Sequence, residues 1–297
     1  MQYKIGIDIG GTSAKIGVVD SDYNVVATEK IKTTLTRTAD EIIGDIAEVC
    51  KGFMTQFNVV SAGIGSAGRI DSKNGVVLRA GNLPFSNEPI TKKLSSFIGL
   101  TVNIQNDGSC ALIGEHLAGV CRGFDDCIIL TIGTGVGGAI MLGGKIYDGH
   151  NGIAGELGHI TIDLTGKKCE CGLYGCYEKY ASARALIGYT EQYARENPDS
   201  ILAKEVQQGT DGRTVFNALG KGCPVADEVL RHYGRLLAIG INNYVKIFQP
   251  QMIAISGGIS NEGERLLFYV RPHLLPEANV KASTLKGLGG LIGASSL

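Results

Sequence analysis

YKIGIDIGGTSAKIGVV, residues 3–19, consists of two apolar runs on either side of a short glycine-rich turn. Apolar runs of this length, bounded by turn residues, predict two buried strands, Tyr3–Ile9 and Ala14–Val19. The turn between them, residues 10–12, is short enough to join the strands as a hairpin. Because a second strand follows the turn, this stretch is not the strand-to-helix phosphate loop of a P-loop protein.

The turn of this hairpin is a candidate phosphate-binding site. Gly10 and Gly11 leave backbone N–H groups accessible, and Thr12 adds a hydroxyl group beside them. Successive N–H groups in such a turn form a concave site for anions. Asp8 ends the first strand and places a fixed carboxylate next to the turn. The alternative interpretation is a plain hairpin with a polar turn.

A second strand, glycine turn and strand occur between residues 128 and 142. The apolar run 128–132 is followed by Gly-Thr-Gly-Val-Gly-Gly and then by the apolar run 139–142. The similarity of the two stretches indicates a faint internal duplication, although Asp8 of the first has Thr131 as its counterpart in the second. Two glycine hairpins are able to hold a triphosphate between them. The candidate residues of the second are Thr131, Gly133, Thr134 and Gly135.

A third polar motif follows the short apolar run 101–105. Asn106 and Asp107 come directly after this predicted strand, and the segment 110–117 has the pattern of a helix. A carboxylate at the end of a strand is well placed to act on a bound ligand. The alternative is that Asp107 only caps the helix, a common use of aspartate.

The stretch from Gly155 to Glu178 contains a candidate metal site. It reads G-E-L-G-H, a spacer, and then C-E-C-G-L-Y-G-C-Y-E. One imidazole and three sulfurs form the ligand set of a closed tetrahedral zinc site. The four candidate ligands are His159, Cys169, Cys171 and Cys176. A structural Zn²⁺ would not require Glu156 and Glu178, which flank the ligands, so we interpret these carboxylates as groups that face a bound molecule.

Chance spacing and a disulfide pair are the alternatives to zinc. The remaining cysteines stand alone, mostly in apolar runs, as buried thiols of intracellular proteins do. They are Cys50, Cys110, Cys121, Cys127 and Cys223. This distribution argues against a disulfide framework and favours the metal site.

Length and charge limit the class of protein. A chain of 297 residues exceeds the size at which a single core is usual, so two lobes with a cleft are expected. With 28 basic and 29 acidic residues and no basic run, nothing indicates binding to nucleic acid or to a membrane. No apolar stretch reaches about 18 residues, so we expect a cytoplasmic protein that acts on small molecules.

Taken together, these motifs resemble those of the ROK family of repressors and sugar kinases. The resemblance rests on three motifs. They are H-x₉-C-x-C-G-x₂-G-C-x-E preceded by G-E-x-G-H, D-x-G-G-T at residues 8–12, and the N-D pair at residues 106–107. The resemblance implies an α/β, two-lobed ribonuclease H-like ATPase fold of the actin, hexokinase and Hsp70 type. The expected domains are residues 1–118 completed by a C-terminal helix at 286–297, and residues 119–285, which carry the zinc-binding loop.

The resemblance also implies roles for the motif residues. ATP and Mg²⁺ would be bound by the two glycine hairpins, with Asp8 facing the Mg²⁺, and by an adenosine motif at Gly257 and Gly258. Asp107 would be the catalytic base. The implied sugar-binding residues are Asn82, Asn106, Asp107, Glu156, His159 and Glu178. For Asn82, in a Gly-Asn-Leu-Pro segment, a simple turn-forming role is the alternative.

The activity implied is ATP-dependent phosphorylation of the 6-hydroxyl of a glucose-configured hexose or β-glucoside. N-Acetylmannosamine and fructose are alternative substrates, because they present hydroxyls to the same side chains. Repressors of the family carry a helix-turn-helix domain ahead of the D-x-G-G-T strand, which here begins at Tyr3. A repressor is therefore the less favoured interpretation. A non-catalytic sugar sensor is also less favoured, because it would have no need of the base at Asp107. A homodimer is expected by the same resemblance.

Overall fold

A computed structural model describes all residues from 1 to 297 and shows a mixed α/β fold. The strands are β1 (Tyr3–Ile9), β2 (Ser13–Val19), β3 (Val25–Lys32), β4 (Val59–Ser66), β5 (Arg69–Asp71), β6 (Val76–Arg79), β7 (Ser86–Glu88), β8 (Val102–Asn106), β9 (Cys127–Ile132), β10 (Val136–Leu142), β11 (Lys145–Ile146), β12 (Met252–Ser256) and β13 (Val280–Ala282). The α-helices are α1 (Ala39–Met54), α2 (Ile90–Ile98), α3 (Asp107–Ala118), α4 (Glu178–Ala181), α5 (Ala183–Glu196), α6 (Ile201–Val206), α7 (Thr214–Gly220), α8 (Pro224–Phe248), α9 (Glu264–Val270) and α10 (Gly289–Ser295). Short 3₁₀ helices cover Leu157–His159, Gly258–Glu262 and Arg271–His273. None of the helices has both the length and the apolar composition needed to cross a bilayer.

The first sheet has the strand order β3-β2-β1-β4-β8. β1 pairs with β2 in antiparallel orientation, which confirms the predicted hairpin, and β1, β4 and β8 are parallel. The apolar residues in the middle of β1 and β2 are buried, as the sequence pattern predicts. The carboxyl ends of the three parallel strands therefore lie at one edge of the sheet.

The second sheet has the order β11-β10-β9-β12-β13 and repeats the plan of the first. The outer pair β10 and β11 is antiparallel, and β9, β12 and β13 are parallel. Each sheet thus contains a hairpin extended by two parallel strands on one side. The faint duplication of the glycine hairpins in the sequence corresponds to two sheets of the same topology.

The chain divides into two compact units. One comprises residues 1–124, 140–154 and 285–297, and the other comprises residues 125–139 and 155–284. The sequence placed the change of domain at 118/119 and assigned 140–154 to the second domain. In both divisions the C-terminal segment belongs with the N-terminal unit.

Three further features complete the fold. Residues 178–196 form two helices, because Ser182 is extended (φ −75°, ψ 164°) and its side chain caps α5 by accepting the Ala185 N–H. Strand β5, which follows β4 closely, pairs with β6. The small sheet β5-β6-β7 and helix α7 were not predicted, since their short elements carry little periodicity.

Helix α10 packs against β1, β4 and α3 at backbone distance. A Cβ atom built on Gly63 of β4 would lie 1.9 Å from the Ala294 carbonyl oxygen, and one built on Gly6 of β1 would lie 2.0 Å from the Leu291 carbonyl oxygen. On the other side of the helix, a Cβ on Gly293 would lie 1.8 Å from the Cys110 carbonyl oxygen. Such separations leave no room for any side chain, so glycine is required at each contact.

We expect Gly63→Ala to destabilise the protein by about 3 kcal/mol or more, because the added methyl group forces α10 away from the sheet. Gly52→Ala is the matched control, since a Cβ at this position in α1 meets nothing within 4 Å. Helix propensity favours alanine there by about 0.5–1 kcal/mol. Urea unfolding of the two variants measures both effects. Equal stability of the two variants would contradict the packing argument.

Candidate active site

Two carboxylates lie at the carboxyl edge of the first sheet. Asp8 precedes the last residue of β1, and Asp107 is the first residue of α3, directly after β8. The register places Ile9 opposite Ser66 and Ser66 opposite Asn106, so the ends of the three strands are level. The structure thus brings together two motifs that are about a hundred residues apart in sequence.

The surroundings of these carboxylates raise both of their pKa values. Burial raises the pKa of Asp8 to about 6, with a further contribution from the negative charge of Asp107, while the nearby Lys15 ammonium acts in the opposite direction. Burial also raises the pKa of Asp107, partly offset by the Gly108 N–H. Both groups therefore hold a proton more readily than an exposed aspartate.

Asn106, and not Asp107 alone, provides the cap of α3. Its Oδ1 atom accepts the N–H groups of Gly108 (2.9 Å) and Ser109 (3.2 Å), and its Nδ2 atom donates to the Gly68 carbonyl at 3.3 Å. Of the N–H groups at the start of α3 beyond its own residue, Asp107 accepts that of Gly108, at 2.9 Å. The capping requirement of the helix is therefore met at Asn106, and it does not by itself explain an aspartate at position 107.

The first glycine turn contacts the Gly-Asn-Leu-Pro segment. A Cβ on Gly11 would lie 2.7 Å from the Cβ of Asn82. The turn itself is closed by the Gly10 N–H, which donates to the Ser13 carbonyl at 3.0 Å, and by the Thr33 hydroxyl, which donates to the Gly10 carbonyl at 2.5 Å. Glycine at position 11 therefore lets Asn82 approach the backbone of the turn.

The second glycine turn contacts Glu178. The Val136 N–H donates to Glu178 Oε2 at 3.1 Å, and a Cβ on Gly135 would lie 2.1 Å from the same oxygen. Gly257 approaches the strand that leads into this turn, since its Cβ would lie 2.3 Å from the Ile132 carbonyl oxygen and its φ is +89°. The second glycine turn therefore lies next to Glu178, and Gly257 lies next to the strand that leads into this turn.

The four candidate metal ligands form one cluster. The imidazole nitrogen and the three sulfurs of His159, Cys169, Cys171 and Cys176 all lie within 4.8 Å of one another. Cys171 and Cys176 sulfurs are 3.5 Å apart, and the Cys169 sulfur is 3.6 Å from His159 Nδ1. A tetrahedral zinc ion with its usual bond lengths separates two sulfurs by about 3.8 Å and a sulfur from a nitrogen by about 3.5 Å. The residues therefore fit the metal in type and in spacing.

Backbone contacts hold the ligand segment in this shape. Residues 161 and 176 and residues 168 and 174 form antiparallel bridges, and the Gly172 N–H donates to the Cys169 carbonyl at 3.1 Å. Gly175 has φ +69°, and a Cβ there would lie 1.7 Å from the Asp163 carbonyl oxygen. The glycines between the ligands are thus needed for the tight fold of the loop, as the sequence suggested.

The predicted carboxylates lie beside the ligand cluster. His159 turns Nδ1 toward Cys169 and Nε2 toward Glu156, whose Oε2 is 4.0 Å away. A carboxylate oxygen of Glu178 lies within 4.8 Å of the Cys169 sulfur. In this geometry Nδ1 of His159 faces the candidate metal ligands, and Nε2 faces away from the Cys169 sulfur.

Sequence reasoning missed two residues next to the N-D pair. Gln105 accepts the Asn106 N–H at 2.8 Å and donates to Asp148 at 3.1 Å. A glutamine at a strand end and an aspartate in a distant loop form no motif. Only the tertiary structure shows that they are partners.

Comparisons with known proteins show similarity over nearly the whole chain. The model of the ROK family matches residues 4–297. The glucokinase of Streptomyces coelicolor is 35% identical over 311 residues, covering 100% of this chain and 98% of the relative. A ROK family glucokinase from Streptomyces griseus, crystallised with glucose and AMPPNP, is 36% identical with a TM-score of 0.85, covering 99% of this chain and 98% of that one. The xylose repressor of Caldicellulosiruptor bescii is 30% identical over 276 residues, covering 90% of this chain and 68% of the repressor.

Proposed function

Since this chain belongs to the ROK family and has the two-lobed actin and hexokinase type of fold, we propose that it is a kinase that phosphorylates the 6-hydroxyl of glucose with ATP. The observation that carries the proposal is the pair of carboxylates, Asp8 and Asp107, at the end of the parallel strands of the first sheet. Full-length similarity to glucokinases supports glucose as the acceptor.

Asp107 is the proposed general base. Phosphoryl transfer requires positioning, charge neutralisation and a group that accepts the hydroxyl proton. A base acts best when its pKa approaches the working pH. Burial raises the pKa of Asp107, which makes the carboxylate a stronger proton acceptor than an exposed aspartate. In the reaction, its carboxylate takes the proton of the 6-hydroxyl as that oxygen attacks the γ-phosphorus, and the bond from the γ-phosphorus to the bridging oxygen breaks to release ADP.

The glycine hairpins are the proposed sites of the phosphates. The first offers the N–H groups of Gly11 and Thr12 and the Thr12 hydroxyl, and the second offers the turn that begins at Gly133. Asp8 fits Mg²⁺, because hard divalent cations prefer carboxylate oxygens and this carboxylate has few partners in the protein. When bound, Mg²⁺ neutralises phosphate charge. The proposed nucleotide residues are Asp8, Gly10, Gly11, Thr12, Thr131, Gly133, Thr134, Gly135, Gly257 and Gly258.

Sugar hydroxyls are the proposed ligands of a further set of side chains. They are Asn82, Asn106, Asp107, Glu156, His159 and Glu178. An ionised carboxylate accepts hydrogen bonds from hydroxyl groups. A neutral imidazole donates from one ring nitrogen and accepts at the other. The Glu156 carboxylate lies 4.0 Å from His159 Nε2. Together these two groups are able to bind two neighbouring hydroxyls of one sugar.

We further propose that His159, Cys169, Cys171 and Cys176 hold a structural Zn²⁺. Zn²⁺ at these residues would cross-link the loop and hold the His159 ring through Nδ1, the nitrogen that faces Cys169. Four protein ligands would complete a structural site and leave no position for a substrate. The metal would then stabilise the loop, and the chain's own side chains would bind the sugar.

The family also contains repressors and kinases of other sugars, so acceptor identity is the decisive measurement. We expect a coupled ATP-consumption assay to show the highest kcat/KM for glucose among glucose, N-acetylmannosamine, fructose and aryl β-glucosides. Phosphate is expected at the 6-hydroxyl, which nuclear magnetic resonance identifies. Higher kcat/KM for a β-glucoside or N-acetylmannosamine would reassign the substrate. Glucose binding with no ATP consumption on any sugar would instead indicate a non-catalytic sensor.

Asp107→Asn is expected to lower kcat with glucose by about a hundredfold or more, the usual effect of losing a general base. Because the amide keeps the shape of the side chain, glucose affinity measured by calorimetry remains within a few-fold of wild type. Asp22→Asn, at an exposed turn position, is the control with unchanged kcat. Near-normal turnover of the Asp107 variant would remove this residue from the mechanism.

Elemental analysis of protein purified without added metal is expected to give about one zinc per chain. Cys171→Ser removes one ligand, so we expect lower zinc content and weaker glucose binding, because the loop that carries His159 loses its cross-link. Cys223→Ser is the matched control, since this cysteine lies at the N-cap of α8, where serine is favoured. A zinc-free wild-type protein that binds glucose tightly would exclude the structural metal.

A further inference from the structure

The side chain of Gln105 is at the centre of a hydrogen-bond network beside the proposed base. Its Oε1 accepts the Ser72 hydroxyl at 3.0 Å and the Asn106 N–H at 2.8 Å. Its Nε2 donates to both carboxylate oxygens of Asp148, at 3.1 and 3.4 Å. All of these residues belong to the same compact unit. The amide thus joins three segments of chain: the residue after β5, the end of β8 and the segment after β11.

The bond to Asn106 matters because of where that peptide lies. Asn106 is the last residue of β8, and its side chain caps α3, the helix that begins with Asp107. The N–H that Gln105 Oε1 accepts belongs to the Gln105–Asn106 peptide, which leads directly into the two residues that carry these side chains. A small rotation at this position would move the carboxylate of Asp107 relative to an attacking hydroxyl.

Asp148 determines which end of the Gln105 amide faces Asn106. A carboxylate only accepts hydrogen bonds, so it attracts the Nε2 end and leaves Oε1 for the Asn106 N–H and the Ser72 hydroxyl. Arg69, Lys73 and His150 line the same cavity of about 510 Å³, yet none of them forms an ion pair with Asp148. The side-chain amide of Gln105 is therefore the hydrogen-bond partner of the Asp148 carboxylate.

We propose that Gln105 is a positioning residue for phosphoryl transfer, held by Asp148 so that it fixes the Gln105–Asn106 peptide and, through it, the start of α3 at Asp107. This inference rests on the proposed kinase activity of the same site. It adds a determinant of turnover that touches neither ATP nor the sugar. Misplacement of a reacting group by about 1 Å is sufficient to lower a rate by about a hundredfold.

Gln105→Glu tests the proposal with a nearly isosteric change. One carboxylate oxygen can still accept from Ser72 and Asn106, but the other now faces Asp148, and the two negative charges repel each other. We expect kcat to fall about tenfold or more, with a smaller change in the KM for glucose. The double variant Gln105→Glu with Asp148→Asn restores a donor opposite an acceptor, so its kcat is expected to return to within about threefold of wild type.

Gln56→Glu is the matched control, because it introduces the same charge at an exposed position in the turn that follows α1, and it is expected to leave kcat unchanged. Thermal unfolding is recorded for every variant. A Gln105→Glu variant with wild-type kcat overturns the proposal. Low kcat that Asp148→Asn does not restore also overturns it, because the contact with Asp148 would not be the cause.

Hydrogen exchange separates this inference from the proposed function. If the wild-type protein phosphorylates no sugar, the kinase proposal fails, but the amides of residues 106–109 still report on the network. We expect faster exchange of these amides in Gln105→Glu and recovery in the double variant. Unchanged exchange in Gln105→Glu would overturn the positioning role, whatever the activity of the wild type.

Discussion

The contact of helix α10 with β1, β4 and α3 is the constraint on which the proposed catalytic edge depends. Glycines at positions 6, 63, 114 and 293 allow carbonyl groups of one element to lie where a side chain of the other would otherwise be. The same helix reaches Asp8, since a Cβ on Gly290 would lie 3.0 Å from its carboxylate. Segments from both ends of the chain thus fix the carboxyl edge of one sheet.

This close packing has an electrostatic consequence. By excluding water from the ends of β1 and β8, it raises the pKa of both Asp8 and Asp107. Partly buried carboxylates near one another cost folding free energy when both are ionised, because desolvation and repulsion act together. A divalent cation at Asp8 would offset that cost. The features that support the proposed chemistry therefore weaken the free protein and favour the ligand-bound one.

The second unit reaches rigidity by a different route. Turns of positive φ at Gly172 and Gly175 shape the backbone of its ligand loop. One imidazole and three sulfurs lie together in this loop, and a metal ion bound to them would cross-link it. Tyr244 of helix α8 is buried, and its hydroxyl donates to the Leu157 carbonyl. This bond attaches the turn that contains His159 to α8. Local covalent spacing and one long-range hydrogen bond together orient the ring.

The sequence by itself determined the features that are local in the chain. Ligand spacing from His159 to Cys176, the glycine hairpins and the polar pair after β8 all follow from neighbouring residues, because turns, strands and metal loops are encoded within about twenty positions. Tertiary structure alone decided the contacts of α10 and the pairing of Gln105 with Asp148. These depend on which surfaces meet after folding. A backbone approach of 2 Å, or a partner more than forty residues away, leaves no periodic pattern in a single sequence.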